Sequence, residues 1–363
     1  MEKISKYQLG TMIILFLIGS TPLFELGIKA KQDAWLVVIT GMLIGFLLVL
    51  MFLAIQRREP DHTLVQILIQ YFGPYAGKFV GWIYVVSFAY ESMRNVRDFG
   101  ELTIMTILSR TPIFLIMLIL MLLSIYAIYK GMEVFFRVAE FLVGGVIFFY
   151  LVLVVMYFIT GVAQPDKLLP VLENGIRPIL QESLSRSIWF PFGQMMVFLM
   201  FWSHLDDKKK LSGTSIRAYF IAGFVIFLMN TTTLIVLGPQ VADISTVPLL
   251  QAVQLIQIPG IFERFDVLVI LLFYSGIFIK ATLWFLAAVL GLAQLFQTDY
   301  RRFVFLVGAL IYLTAFIPPN WQSHLEIGTI VAEKFMLNPI LLGIIPGLLF
   351  VIMLIRGRGK RAG

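Results

Sequence analysis

Five charged residues, Glu91, Arg94, Arg97, Asp98 and Glu101, cluster within one long, largely apolar run. Arg94 and Asp98 are four apart, as are Arg97 and Glu101, a spacing that sets opposite charges on one helix face. Charges at membrane depth are costly, so they pair or face a bundle interior or a watery passage. The pattern admits an ion-pair ladder between helices, or a polar passage in which Arg97 or Glu101 touches a ligand. Lys280 is a second such signal. It stands between Phe278, Ile279 and Ala281, with no acid three or four residues away. Asp266 and Gln294, its nearest strongly polar neighbours along the run, are each fourteen residues off. Its charge must be met by an acid of another helix, by water or by a ligand carboxylate, unless it replaces a bound cation or is neutral when the site is empty. Tyr90 and Tyr274 add mid-run hydroxyls that serve either packing or a site.

The elements that position these groups are interrupted. The first apolar run, about 8–27, is long enough to cross a bilayer, yet carries Gly19-Ser20-Thr21-Pro22 at its centre. Proline removes an amide hydrogen, and freed backbone groups persist in hydrocarbon only where they line a cavity within the protein. A second interruption, Phe190-Pro191-Phe192-Gly193-Gln194, lies in the run 187–205. A matched pair of interrupted runs marks a binding site of transporter type. Gly19, Ser20, Thr21, Phe192, Gly193 and Gln194 are therefore candidate ligand contacts, with Tyr90, Arg97, Tyr274 and Lys280. Glu91, Arg94, Asp98 and Glu101 are candidates for the polar passage.

Composition narrows the class. Of 363 residues 60% are hydrophobic and 13% charged, and mean hydropathy is +0.92. That is a polytopic all-α membrane protein forming a single integral membrane domain over 1–363. No cysteine is present, so there is neither a disulfide framework nor thiolate chemistry. His62, His204 and His324 lie far apart and do not resemble a metal site. The net charge of +7 is not a nucleic-acid footprint, because the basic residues gather at run ends. No catalytic group, metal or cofactor is expected.

Ten crossings follow from the apolar runs: 8–27, 34–55, 77–108, 113–129, 136–160, 187–205, 218–237, 265–296, 303–317 and 338–355. Short amphipathic pieces are expected at 63–71, near 179–184 and within 238–262. Gly73, Gly77 and Gly81 form a small-residue face for close packing. With both termini cytoplasmic, 17 lysines and arginines fall inside and 8 outside, which sets the orientation. The ten crossings then divide into inverted repeats at about 8–160 and 186–356, each opened by a broken helix.

These features resemble the amino acid–polyamine–organocation transporters, with their leucine-transporter-type 5+5 inverted repeat and broken helices 1 and 6. More narrowly, the chain resembles the endospore germination permeases, the B subunits of nutrient germinant receptors. Ser109-Arg110-Thr111-Pro112-Ile113 with Arg97 and Glu101, Leu169-Pro170-Val171-Leu172 with Gly175 and Pro178, Lys208-Lys209-Lys210, and Gly260-Ile261-Phe262-Glu263-Arg264-Phe265 carry the resemblance. The chain departs in having Gly19-Ser20-Thr21-Pro22 where many such permeases have Gly-x-Gly, and in Lys280. The resemblance implies a spore inner-membrane protein that senses a small nutrient, commonly an amino acid, beside an A subunit and a lipoprotein C subunit. The alternative is a secondary amino-acid transporter, perhaps proton-coupled.

Overall fold

The computed structural model describes residues 2–256 and 265–359. The Gly260–Arg264 part of the stretch that leads into the eighth crossing lies outside the described residues. Helix α1 (Lys6–Ile18) starts at a capping box: Gln8 N–H donates to Ser5 Oγ at 3.2 Å, and Ser5 N–H donates to Gln8 Oε1 at 2.8 Å. After the interruption come α2 (Ala34–Arg58), a short α3 (Leu64–Phe72) and the long α4 (Pro74–Thr106). Then follow α5 (Ile113–Lys130), α6 (Met132–Ile159) and a short α7 (Arg177–Glu182). The sixth crossing segment has no continuous α-helix. A π-type turn at Ser183–Ser187 precedes the break, and a tight 3-10 helix, Phe192–Met200, follows it. Beyond it lie α8 (Leu211–Leu237), the short α9 (Pro239–Ile244) and α10 (Pro248–Val253), and α11 (Asp266–Phe296). Helices α12 (Arg301–Thr314), α13 (Trp321–Thr329) and α14 (Ile345–Gly359) complete the order.

Six helical stretches among the described residues are long and apolar enough to cross a membrane by length and composition. The other four expected crossings miss that test for local reasons. α1 stops after 13 residues at its break, and the sixth segment is wound as 3-10 helix. α4 spans 33 residues but carries the charged stretch, and α12 has only 14 residues. The expected amphipathic pieces appear as α3, α7, α9 and α10.

Packing centres on α1 and α11. Phe16 meets Phe198 edge-on at 5.4 Å and Trp284 at 5.3 Å, joining α1, the sixth segment and α11 in one aromatic core. The small-residue face works at two of its three positions. A Cβ at Gly77 would fall 2.5 Å from Ile69 Cα, and one at Gly81 would fall 3.2 Å from Leu295. Gly73 instead makes the turn between α3 and α4, with φ +90°.

Hydrogen bonds gather the expected inner-side residues at one end. Glu2 Oε2 accepts from Met132 N–H at 2.5 Å, and Glu2 Oε1 lies 3.4 Å from Arg301 Nη2. Ile4 N–H donates to His204 O at 2.9 Å, and Asp206 N–H donates to Ile4 O at 3.0 Å. At the opposite end Gln32 Nε2 donates to Glu173 Oε2 at 2.7 Å, and Leu172 N–H donates to Asp33 Oδ1 at 3.0 Å.

Candidate functional site

The first interruption is shaped by what can fit beside it. Gly19 adopts φ +27° and ψ −115°. A Cβ there would fall 2.6 Å from Lys280 Cδ and 2.8 Å from the Phe16 carbonyl oxygen. On α11, a Cβ at Gly276 would fall 2.5 Å from the Gly19 carbonyl oxygen, so two glycines let the broken strand touch that helix. Thr21 Oγ1 donates to Leu17 O at 2.6 Å, answering a carbonyl that the break freed. Further on, Leu26 N–H donates to Asn230 Oδ1 at 2.8 Å, and Asn230 Nδ2 donates to Leu26 O at 3.2 Å. One amide of α8 therefore satisfies both backbone groups of an unwound residue.

Between this strand, α4, the sixth segment and α13 lies a cavity of about 360 Å³, a size suited to a small molecule. The first interruption contributes Ser20, Phe24 and Glu25; α4 contributes Tyr90, Glu91, Arg94, Asn95 and Asp98. Glu182, Arg186, Phe190 and Gln194 come from the sixth segment and its approach, and Gly328 and Thr329 from α13.

The charged stretch of α4 divides in two. Arg97 and Glu101 pair as their spacing predicts, with Arg97 Nη2 donating to Glu101 Oε1 at 2.5 Å and Nη1 donating to Ala315 O at 3.1 Å. The expected Arg94–Asp98 pair is replaced. Asp98 Oδ1 lies 2.8 Å from His324 Nε2, and Arg94 Nη1 donates to His324 O at 3.1 Å. The cause is α13, which brings a buried imidazole and its backbone carbonyl against α4. Gly328 of α13 has no side chain where the Arg94 guanidinium lies; a Cβ there would overlap it.

Six of the sequence-derived candidates reach the cavity wall: Ser20, Tyr90, Glu91, Arg94, Asp98 and Gln194. Gly19 lies behind the wall, against Lys280. Thr21 borders a smaller adjoining pocket. Phe192 packs on Tyr219, with ring centroids 5.6 Å apart. Gly193 faces the Ile188 carbonyl and Leu342. Tyr274 packs against Phe99, with ring centroids 4.6 Å apart and the rings tilted by 45°. Arg97 and Glu101 are buried in their mutual pair, away from the cavity wall. Lys280 is 0% exposed, and its Nζ has no hydrogen-bond partner among the described residues. Its ammonium stands 4.5 Å from the Phe190 ring centre and 5.5 Å from that of Phe16, one ring from each interrupted segment.

Sequence reasoning missed Glu25, Asn95, Asn230, Glu182, Arg186 and His324. The test that singled out Lys280, a lone polar group in an apolar run, passes over Asn230, which heads the polar cluster Asn230-Thr231-Thr232-Thr233. His324 carried no such signal, because it lies in a polar stretch after Pro318-Pro319.

Residues 3–323 match the sequence profile of a family described as "Spore germination protein". The chain is 32% identical over 356 residues to spore germination protein KB of Bacillus subtilis (strain 168), covering 97% of this chain and 95% of the relative. It is 23% identical over 369 residues to spore germination protein YndE of the same organism, covering 99% of each. Among solved structures it resembles Mhp1, a nucleobase-cation-symport-1 family transporter with bromovinylhydantoin bound: TM-score 0.70, 12% identity, 98% of this chain and 80% of that one. It also resembles MhsT in complex with L-phenylalanine: TM-score 0.67, 15% identity, 97% and 90%. At those identities the likeness is one of fold, and it is the transporter-type, nearly all-helical fold expected from the sequence.

Proposed function

Because the chain belongs to the family of spore germination proteins, we propose that it is the membrane subunit of a nutrient germinant receptor. In this reading the cavity binds a small nutrient, an amino acid, and occupancy signals germination. One observation carries it: a single cavity is walled by the first interruption, the charged stretch of α4 and the second interruption together. An occupant touches both interrupted segments at once. A ligand shifts a conformational equilibrium only through unequal affinity for its two states, and a site spread over separate elements supplies that inequality. Arg94 offers its guanidinium to a carboxylate, as arginine does wherever planar anions are held. The fold likeness to a transporter described with L-phenylalanine supports the ligand class. The relatives named as spore germination proteins support a place in the spore inner membrane, with an A subunit and a lipoprotein C subunit as partners. The excess of basic residues at the end holding Glu2, His204 and Arg301 supports cytoplasmic termini.

Spores carrying Gln194→Leu test this reading. The nutrient concentration for half-maximal germination should rise about tenfold or more while the protein stays at its normal level in the membrane. An unchanged dose-response would remove the cavity from the signalling path. The runner-up, a secondary amino-acid transporter, draws on the fold of Mhp1 and MhsT. Concentrative uptake of a labelled amino acid by the purified chain in proteoliposomes would decide for it.

A further inference from the structure

Four buried polar atoms without a hydrogen-bond partner among the described residues belong to this cavity's wall: Glu25 Oε1, Asn95 Oδ1, Ser187 Oγ and Gln194 Oε1. Three of them are acceptors only. The amide orientations follow from their bonds. Asn95 Nδ2 donates to Glu91 O at 2.9 Å, and Gln194 Nε2 donates to Glu91 Oε2 at 3.4 Å, which leaves each amide oxygen as the free end. Asn95 is 3% exposed and Gln194 5%, so neither oxygen has bulk water to fall back on. An unpaired buried acceptor is costly, and what relieves three at once is a donor-rich group.

Charge points the same way. The wall holds four carboxylates, Glu25, Glu91, Asp98 and Glu182, against the guanidiniums of Arg94 and Arg186. Asp98 is taken by His324, and Glu182 lies 3.7 Å from Arg186. Glu91 accepts from Gln194. Glu25 Oε1 meets no donor. Asn230 fixes the backbone beside it by holding both polar groups of Leu26.

The geometry points to Glu25, with the amide oxygens of Asn95 and Gln194, as the seat of a primary ammonium group on the ligand. This rests on the cavity being the nutrient site, as read above. An ammonium has three N–H donors, and the three acceptors come from the first interruption, α4 and the sixth segment. An amine that meets all three would bridge those three elements. The selectivity that follows is asymmetric: an amine lacking a carboxylate keeps its hold, and a carboxylic acid lacking an amine does not.

Thermal unfolding of the purified full chain in detergent tests this with matched probes: L-valine, isobutylamine and isovalerate, then L-phenylalanine, phenethylamine and 3-phenylpropionate. On the unaltered chain, amine-bearing members of a set should raise the unfolding temperature and the acids should not. Glu25→Gln, which keeps the shape and removes the charge, should weaken apparent affinity for amines about tenfold or more. Without a probe it should unfold at the same or a higher temperature, because an unpaired buried carboxylate is gone; a merely structural glutamate would show the opposite. The ranking of amine over acid needs no variant, so it stands even if Glu25→Gln fails to fold. Acids stabilising as well as amines, or no probe stabilising at all, overturns the assignment. Amino acids stabilising the unaltered chain and Glu25→Gln equally would sink the ammonium seat and leave the nutrient site standing. Amines stabilising only the unaltered chain, with spores blind to every amino acid, would keep the seat and sink the receptor reading.

Discussion

Two buried cations of this molecule live under opposite terms. Arg97 on α4 is enclosed by Glu101 and the Ala315 carbonyl, with every contact 3.1 Å or shorter. Lys280 on α11 is more deeply buried, yet its ammonium faces only the rings of Phe16 and Phe190 and makes no hydrogen bond among the described residues. The acids whose field reaches it, Glu91 and Asp98, belong to the cavity wall. A cation with its own fixed counter-charge is indifferent to what occupies a nearby cavity. A cation compensated by rings and by the field of cavity acids feels any change there. Arg97 is therefore read as a fastening, and Lys280 as a group whose environment follows the state of the two interrupted segments.

The sharpest test of that contrast is Arg97→Met. It strands the Glu101 carboxylate in the interior, which costs about 3–5 kcal/mol, and membrane abundance should collapse. Adding Glu101→Gln should restore most of it. Next is Lys280→Met, which strands no hydrogen-bond partner. Abundance should hold or rise while the nutrient dose-response shifts or disappears. If abundance falls instead, and Glu91→Gln rescues it, Lys280 is a fastening too and the contrast is gone. Asn230→Leu comes third. It orphans the N–H and C=O of Leu26 at about 1–3 kcal/mol per group, so the unfolding temperature should drop and amine affinity with it. The smallest effect belongs to Glu133→Gln. Its partner Arg137, at 2.6 Å, is largely exposed, so stability should move by no more than about 0.5 kcal/mol. A larger change there would mean that surface pairs matter in this protein as much as buried ones do.

What could be read from the sequence depended on whether a residue's neighbours were local. The interruption at Gly19 and the Arg97–Glu101 pair were legible because a dipeptide's backbone chemistry and an i,i+4 spacing are local facts. The Arg94–Asp98 pair satisfied the same spacing rule and does not form, because His324, 226 positions away in sequence, takes the carboxylate. Spacing states which side chains can meet on one helix and is silent about a better partner arriving on another. Glu25 was illegible for a related reason. A glutamate near the end of an apolar run looks like an ordinary interfacial charge. Only the unwound strand held by Asn230 turns it toward the interior. Lys280 lies against Gly19 of the first interruption, while the cavity wall takes Ser20, Phe24 and Glu25 from that segment.

The backbone pairing of Ile4 with residues 204–206 has a mechanical consequence. It hitches the start of the first interrupted segment to the end of the sixth, so a swing of one lever against the other would pivot there. The cavity lies about 15 residues up the first lever from that pivot, or about 22 Å. A ligand that parts the levers there by about 1 Å needs a swing of only about 3°. Cutting the hitch would turn two coordinated levers into two independent ones.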